Sequence, residues 1–195
     1  MKRLLLSCLL SLGLVFGVFA SPAGADTWPQ NYHWPRWYGT GSTATETRVY
    51  FVADVKRMPV YQRAYVSWAA HRWSASPAVS VIPITSDRCP TRPDGIKYNC
   101  VVWRTGNNGG GFTNINFDSS KHITFALVTL DDQVGLGTDY VQDRYIACHE
   151  GGHSLGGGFD DPRTAYNEHH LCNKANGYPT SEDYASIAGA YNHHG

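Results

Sequence analysis

The densest β-branched and aromatic runs in the chain, Val49-Tyr50-Phe51-Val52 and Ile123-Thr124-Phe125-Ala126-Leu127-Val128, predict strands over Arg48–Ala53 and 122–129. Ala78 to Ile84 and Val101-Val102-Trp103 have the same character. After the first strand, Pro59 opens a predicted helix to about Trp73, with Val60, Ala64, Trp68 and either Ala70 or His71 at helical spacing as its core stripe. A second helix runs from the caps Thr138 and Asp139 to about Leu155, where Val141, Tyr145, Cys148, Gly152 and Leu155 make a core-facing seam. Gly151 and Gly152 each cost about 1 kcal/mol against Ala inside that helix, so close packing or a bound metal has to compensate for them. Gly156 to Gly158 end it. A third helix starts near Thr180, with Asp183 three residues on as a variant capping box and Tyr184, Ile187, Ala188 and Tyr191 along one face. Residues 107–111 read as a glycine-rich turn, and 159–179 are polar and irregular. The strand at 122–129 precedes the second helix, and its edge is expected to accept an extended peptide.

The chain opens differently. Lys2 and Arg3 precede an apolar run from Leu4 to Phe19, and Ala23-Gly24-Ala25 supplies small residues for cleavage, so residues 1–25 are expected to be a secretory signal peptide. The run is short for a membrane span and no basic cluster follows it. Residues 26–45 set Trp28, Trp34, Trp37 and Tyr38 among Pro, Gly, Ser and Thr without any period. They read as an extended aromatic arm packed on a single domain spanning 46–195, with a short propeptide or an aromatic recognition surface as the alternatives.

Without the signal, about 170 residues remain, enough for one domain with a core. Losing Lys2 and Arg3 from 16 basic residues leaves 14 against 16 acidic ones, a net charge of 14 − 16 = −2. No basic stripe is present, which argues against a nucleic-acid partner. The expected protein is a secreted monomer that stays off membranes once the signal is removed. Cys89, Cys100, Cys148 and Cys172 are an even set in an exported chain, and two disulfides are expected. Three pairings are possible; the sequential one, Cys89 with Cys100 and Cys148 with Cys172, closes the shorter loops and ties the second helix to the segment after it.

The second helix carries the chemistry. His149-Glu150-x-x-His153 puts two imidazoles one turn apart with a carboxylate beside the first, the arrangement in which two His ligands hold zinc and Glu acts as base toward a metal-activated water. At 100° per residue, both His fall on the flank of the buried seam and border a cleft. Asp131, Asp132, Asp160 and Asp161 are oxygens suited to a structural Ca2+, although no calcium-loop pattern joins them. Gly152-His153-Ser154-Leu155-Gly156 spells G-x-S-x-G, but it falls at the end of the predicted helix and not on the strand-to-helix turn that a serine hydrolase's nucleophile elbow needs. Tyr166 and Tyr178 are possible oxyanion donors, with packing roles as the alternative. His193 and His194 read as an exposed tail.

His149, Glu150, His153 and Gly156 match, position by position, the H-E-x-x-H-x-x-G-x-x-[HD] motif of the metzincin zinc peptidases, and the chain resembles their snapalysin-like and matrixin-like groups. The resemblance implies one α+β domain with a mixed twisted sheet, a long helix packed on it, a zinc-binding active-site helix and a C-terminal helix. It also implies a zinc endopeptidase acting on extended peptides or proteins, with Glu150 as general base. Two positions depart from the motif. Phe159 stands where the third ligand belongs, which moves that role to Asp160 one residue later, or to Asp161. The methionine turn is missing, the only methionines being Met1 and Met58. Glu168 resembles the third ligand of thermolysin-like enzymes, and His169 and His170 are further choices. Two other readings stand beside the peptidase. One is an exported binding protein with a relic motif, and the other a structural zinc site completed by His169 or His170.

Overall fold

The computed structural model describes residues 32–35, 47–92, 95, 97–157 and 171–192. Five strands and three helices follow in the order β1 (Thr47–Asp54), α1 (Val60–Trp73), β2 (Val79–Ser86), β3 (Cys100–Gly106), β4 (Gly111–Phe117), β5 (Ile123–Asp131), α2 (Tyr140–Ser154) and α3 (Ser181–Asn192). The strands form one mixed sheet in the order β2-β1-β3-β5-β4. The first four are parallel and β4 is antiparallel to β5, with Thr113 opposite Val128 and Val128 opposite Trp103. The sheet turns Val49, Phe51, Val81, Trp103, Ala126 and Val128 into a core shared with α1 and α2. The α+β expectation therefore holds at this level: a mostly parallel five-stranded sheet with helices packed on it.

Three details correct the reading of the pattern. In α1 the buried stripe is Gln62, Val66, Ala69, Ala70 and Trp73, while Val60 is 75% exposed. Ala64 and His71 are exposed too, and Trp68 is half-buried. Gln62 disguised the stripe. Its amide donates to the carbonyls of Asp131 (2.7 Å) and Val134 (2.9 Å) and its oxygen accepts from the Thr105 hydroxyl (2.6 Å), so a polar side chain sits in the core fully bonded. Secondly, β5 is not an edge, because β4 covers it. The turn expected at 107–111 ends at Gly110, and Gly111-Phe112-Thr113-Asn114-Ile115-Asn116-Phe117 continues as a strand. Glycine and asparagine are poor strand formers, so this segment owes its form to pairing with β5 rather than to its own preference. Thirdly, Tyr145, Cys148, Gly152 and Leu155 are buried along α2 as the seam requires, but Val141 is 40% exposed.

Both helix-capping expectations hold. The Asp139 carboxylate accepts from Gln142 N–H (3.0 Å) at the start of α2. At α3 the Thr180 hydroxyl accepts from Asp183 N–H (3.2 Å) while the Asp183 carboxylate accepts from Thr180 N–H (2.7 Å), the reciprocal capping box. Cys89 pairs with Cys100 and Cys148 with Cys172, with Cα separations of 6.0 and 6.1 Å, as the sequential pairing predicts. Such bonds fit an oxidising, extracellular setting. Among the described residues no helix is long and apolar enough to cross a membrane.

Of the aromatic arm, residues 32–35 are described, and they pack into the domain. His33 bridges to His122 beside β5, and Trp34, 2% exposed, donates its indole N–H to the Ser154 carbonyl at the end of α2 (2.9 Å). Residues 1–25, expected as a signal peptide, lie outside the described residues, as do Trp28, Trp37, Tyr38 and the His193-His194 pair.

Candidate functional site

The helix α2 is seated on α1 through its glycines. A Cβ on Gly151 would come within 3.1 Å of the Trp73 indole nitrogen, and one on Gly152 within 2.6 Å of the Trp73 ring. The buried Trp73 also donates its N–H to the Cys148 carbonyl (2.9 Å). Close packing of α1 on α2 is thus the compensation that two glycines in a helix require.

That seating turns His149 and His153 together, and both are half-buried. Their rings lie edge to face with centroids 4.4 Å apart, and their Nε2 atoms are 3.0 Å from one another. Each Nδ1 is held by a backbone carbonyl: His149 by Leu171 (3.1 Å) and His153 by Gly157 (2.6 Å). A carbonyl only accepts, so each Nδ1 carries a proton, which leaves Nε2 as the ligating nitrogen of each ring in its neutral form. Burial lowers the His153 pKa, opposed by its bond to the Gly157 carbonyl, which favours the neutral form a ligand needs.

Glu150 faces β4 and is 6% exposed. Its carboxylate accepts a 2.6 Å hydrogen bond from the Thr113 hydroxyl. Gly111 leaves room for it: a Cβ there would fall 2.5 Å from Glu150 Cγ. Burial pushes the Glu150 pKa up to about 7, with the Thr113 bond pulling down. A carboxylate poised near neutrality is suited to taking and returning a proton.

Two convergent imidazoles with carbonyl-locked Nδ1 atoms fit a divalent ion. Tetrahedral zinc with Zn–N bonds of about 2.0–2.1 Å sets two nitrogens ~3.3 Å apart, close to the separation here. Asp160, Asp161, Glu168, His169, His170 and Tyr166, the other residues proposed for the site, lie outside the described residues. Among the described residues, no three His, Cys, Asp or Glu side chains gather as a metal-binding group. Of the candidate calcium oxygens, Asp131 accepts from the N–H groups of Asn108, Gly109 and Gln133, and Asp132 from the Gln133 amide. Those backbone bonds give Asp131 a turn-building role. Tyr178 stacks against Arg72, with the guanidinium 4.2 Å from the ring centre, and accepts from it at 3.3 Å.

Sequence reasoning did not find Thr113, Gly111 or the two carbonyls. Thr113 lies 37 residues from Glu150 and meets it only through the β4–β5 pairing. The carbonyls belong to residues whose side chains have no part in the contact. No model of a known protein family matches the chain, and no curated protein matches its sequence.

Proposed function

We propose that this protein is a secreted zinc endopeptidase of metzincin type, in which His149 and His153 hold the metal and Asp160 completes the protein ligands. The observation that carries this reading is the convergence of the two Nε2 atoms at 3.0 Å, each ring fixed by a carbonyl at Nδ1, beside a buried Glu150. Zinc bound there supplies a Lewis acid that makes a water molecule acidic near neutral pH and polarises a peptide carbonyl. Glu150 takes the proton of the attacking water and returns it to the departing amine, and the Thr113 hydroxyl keeps the carboxylate oriented between the two transfers. The substrate lies extended along the outer edge of β4, the terminal strand nearest Glu150, where it adds to the sheet by main-chain hydrogen bonds.

The test measures bound zinc and casein hydrolysis in parallel on the chain from residue 26 onward with both disulfides formed. Wild type is expected to hold one zinc per chain and to cleave. Glu150→Ala keeps the metal and loses about 100-fold or more in rate, the usual contribution of a positioned acid–base group. Asp160→Ala loses both. Loss with Glu168→Ala instead moves the third ligand there, and a wild type that retains no zinc ends the peptidase reading in favour of an exported binding protein. One that holds zinc and cleaves nothing leaves a structural site.

A further inference from the structure

A closed ring of contacts surrounds His149. Cys148 precedes it in α2 and is bonded to Cys172, and the residue before Cys172 is Leu171, whose carbonyl lies 3.1 Å from His149 Nδ1. The circuit therefore runs through two adjacent residues of α2, one hydrogen bond, two adjacent residues of the next segment and one disulfide. Cys172 has φ +69, a left-handed conformation uncommon outside glycine. It is held there from the far side: its N–H donates to the Asp183 carboxylate (3.1 Å), the same oxygen that caps α3 through Thr180. Cys148 and Cys172 are 0% and 1% exposed and Leu171 is 6% exposed, so the bracket is part of the core rather than a surface staple.

We propose that Cys148, Cys172 and Asp183 are positioning residues for the metal, a bracket that presses the Leu171 carbonyl onto His149 and so sets zinc affinity. The inference rests on the zinc reading and adds to it which residues outside the ligand set tune the site. A carbonyl behind a ligating imidazole fixes the ring's tautomer and direction, and loss of such a partner typically weakens metal binding about 10- to 100-fold. The Cys89–Cys100 bond, which closes the loop before β3, makes no such circuit and serves as the internal control.

The experiment is competition for zinc between the secreted protein and a chromophoric chelator, with urea unfolding of each zinc-free variant alongside. Wild type is expected to bind one zinc. Cys148→Ala with Cys172→Ala weakens binding about 10- to 100-fold, whereas Cys89→Ala with Cys100→Ala loses stability and keeps wild-type affinity. Asp183→Ala weakens binding in the same direction. Asp183→Asn, whose carbonyl oxygen can take the place of the carboxylate oxygen, restores it. If the Cys148 pair does not fold, the two Asp183 variants decide. Equal losses of affinity in the two cysteine pairs, or none in the Cys148 pair, overturn the bracket while leaving the zinc reading intact. A wild type without zinc overturns both.

Discussion

Thr113 and Glu150 show how much depends on one hydroxyl. Burial disfavours the charged carboxylate, and the hydrogen bond from Thr113 favours it. Thr113→Val removes only the favourable part, so the Glu150 pKa rises further and its carboxyl is protonated over a wider range. The acid limb of the kcat–pH profile is then expected to move to higher pH, and kcat at pH 7 to fall about tenfold, the equivalent of one hydrogen bond to a charged group. Thr113→Ser keeps the hydroxyl and is expected to keep the profile. An unchanged limb in Thr113→Val would mean that the bond does not set the protonation of Glu150.

At the scale of elements, two glycines in helices make opposite predictions. Replacing Gly152 by Ala gains about 1 kcal/mol of helix propensity but drives a Cβ to within 2.6 Å of the core Trp73 ring. Overpacking of this kind costs about 1–3 kcal/mol, so a net destabilisation in urea unfolding is expected. Gly189 in α3 has open space, with nothing within 4 Å, where a Cβ would sit, and Gly189→Ala is expected to stabilise by about 0.5–1 kcal/mol. The turn that leads into β4 depends on pH instead. Backbone N–H groups of Gln133, Gly109 and Asn108 hold the Asp131 carboxyl below its ordinary pKa of 3.8. A depressed folded-state pKa stabilises above the unfolded value and loses that contribution as pH falls through the folded one. The gap in Tm between wild type and Asp131→Ala should therefore be full at neutral pH and close on acidification below about pH 4.

Across the whole molecule, residues 32–35 join elements far apart in sequence. Trp34 donates its indole N–H to Ser154 at the end of α2, while its backbone N–H donates to the Tyr191 hydroxyl (3.3 Å) in α3. Tyr191 in turn donates to the Leu155 carbonyl (3.0 Å). This short stretch thus fastens the C-terminal end of the His149–His153 helix. Trp34→Ala is expected to cost about 3–5 kcal/mol in urea unfolding, the usual cost of emptying a buried aromatic site. A loss below about 1 kcal/mol, the scale of a surface change, would show that the segment is dispensable.

Local spacing was enough for the features that depend on near neighbours. The i, i+4 relation of His149 and His153 put both rings on one side of α2. The Thr180–Asp183 box marked the start of α3, the cysteine spacing led to both disulfides, and Gly151 and Gly152 announced a close neighbour. The remainder depended on contacts distant in sequence. Gln62 looks like a surface residue until three partners from Thr105, Asp131 and Val134 satisfy it in the core. Gly111 to Phe117 looks like a loop until β5 pairs with it, and only that pairing puts Thr113 against Glu150 and removes the edge expected on β5. The carbonyl of Leu171 reaches His149 by way of a disulfide and a left-handed cysteine. Periodicity and capping are written into a few adjacent residues, whereas sheet order, strand edges and carbonyl contacts exist only once distant segments have packed together.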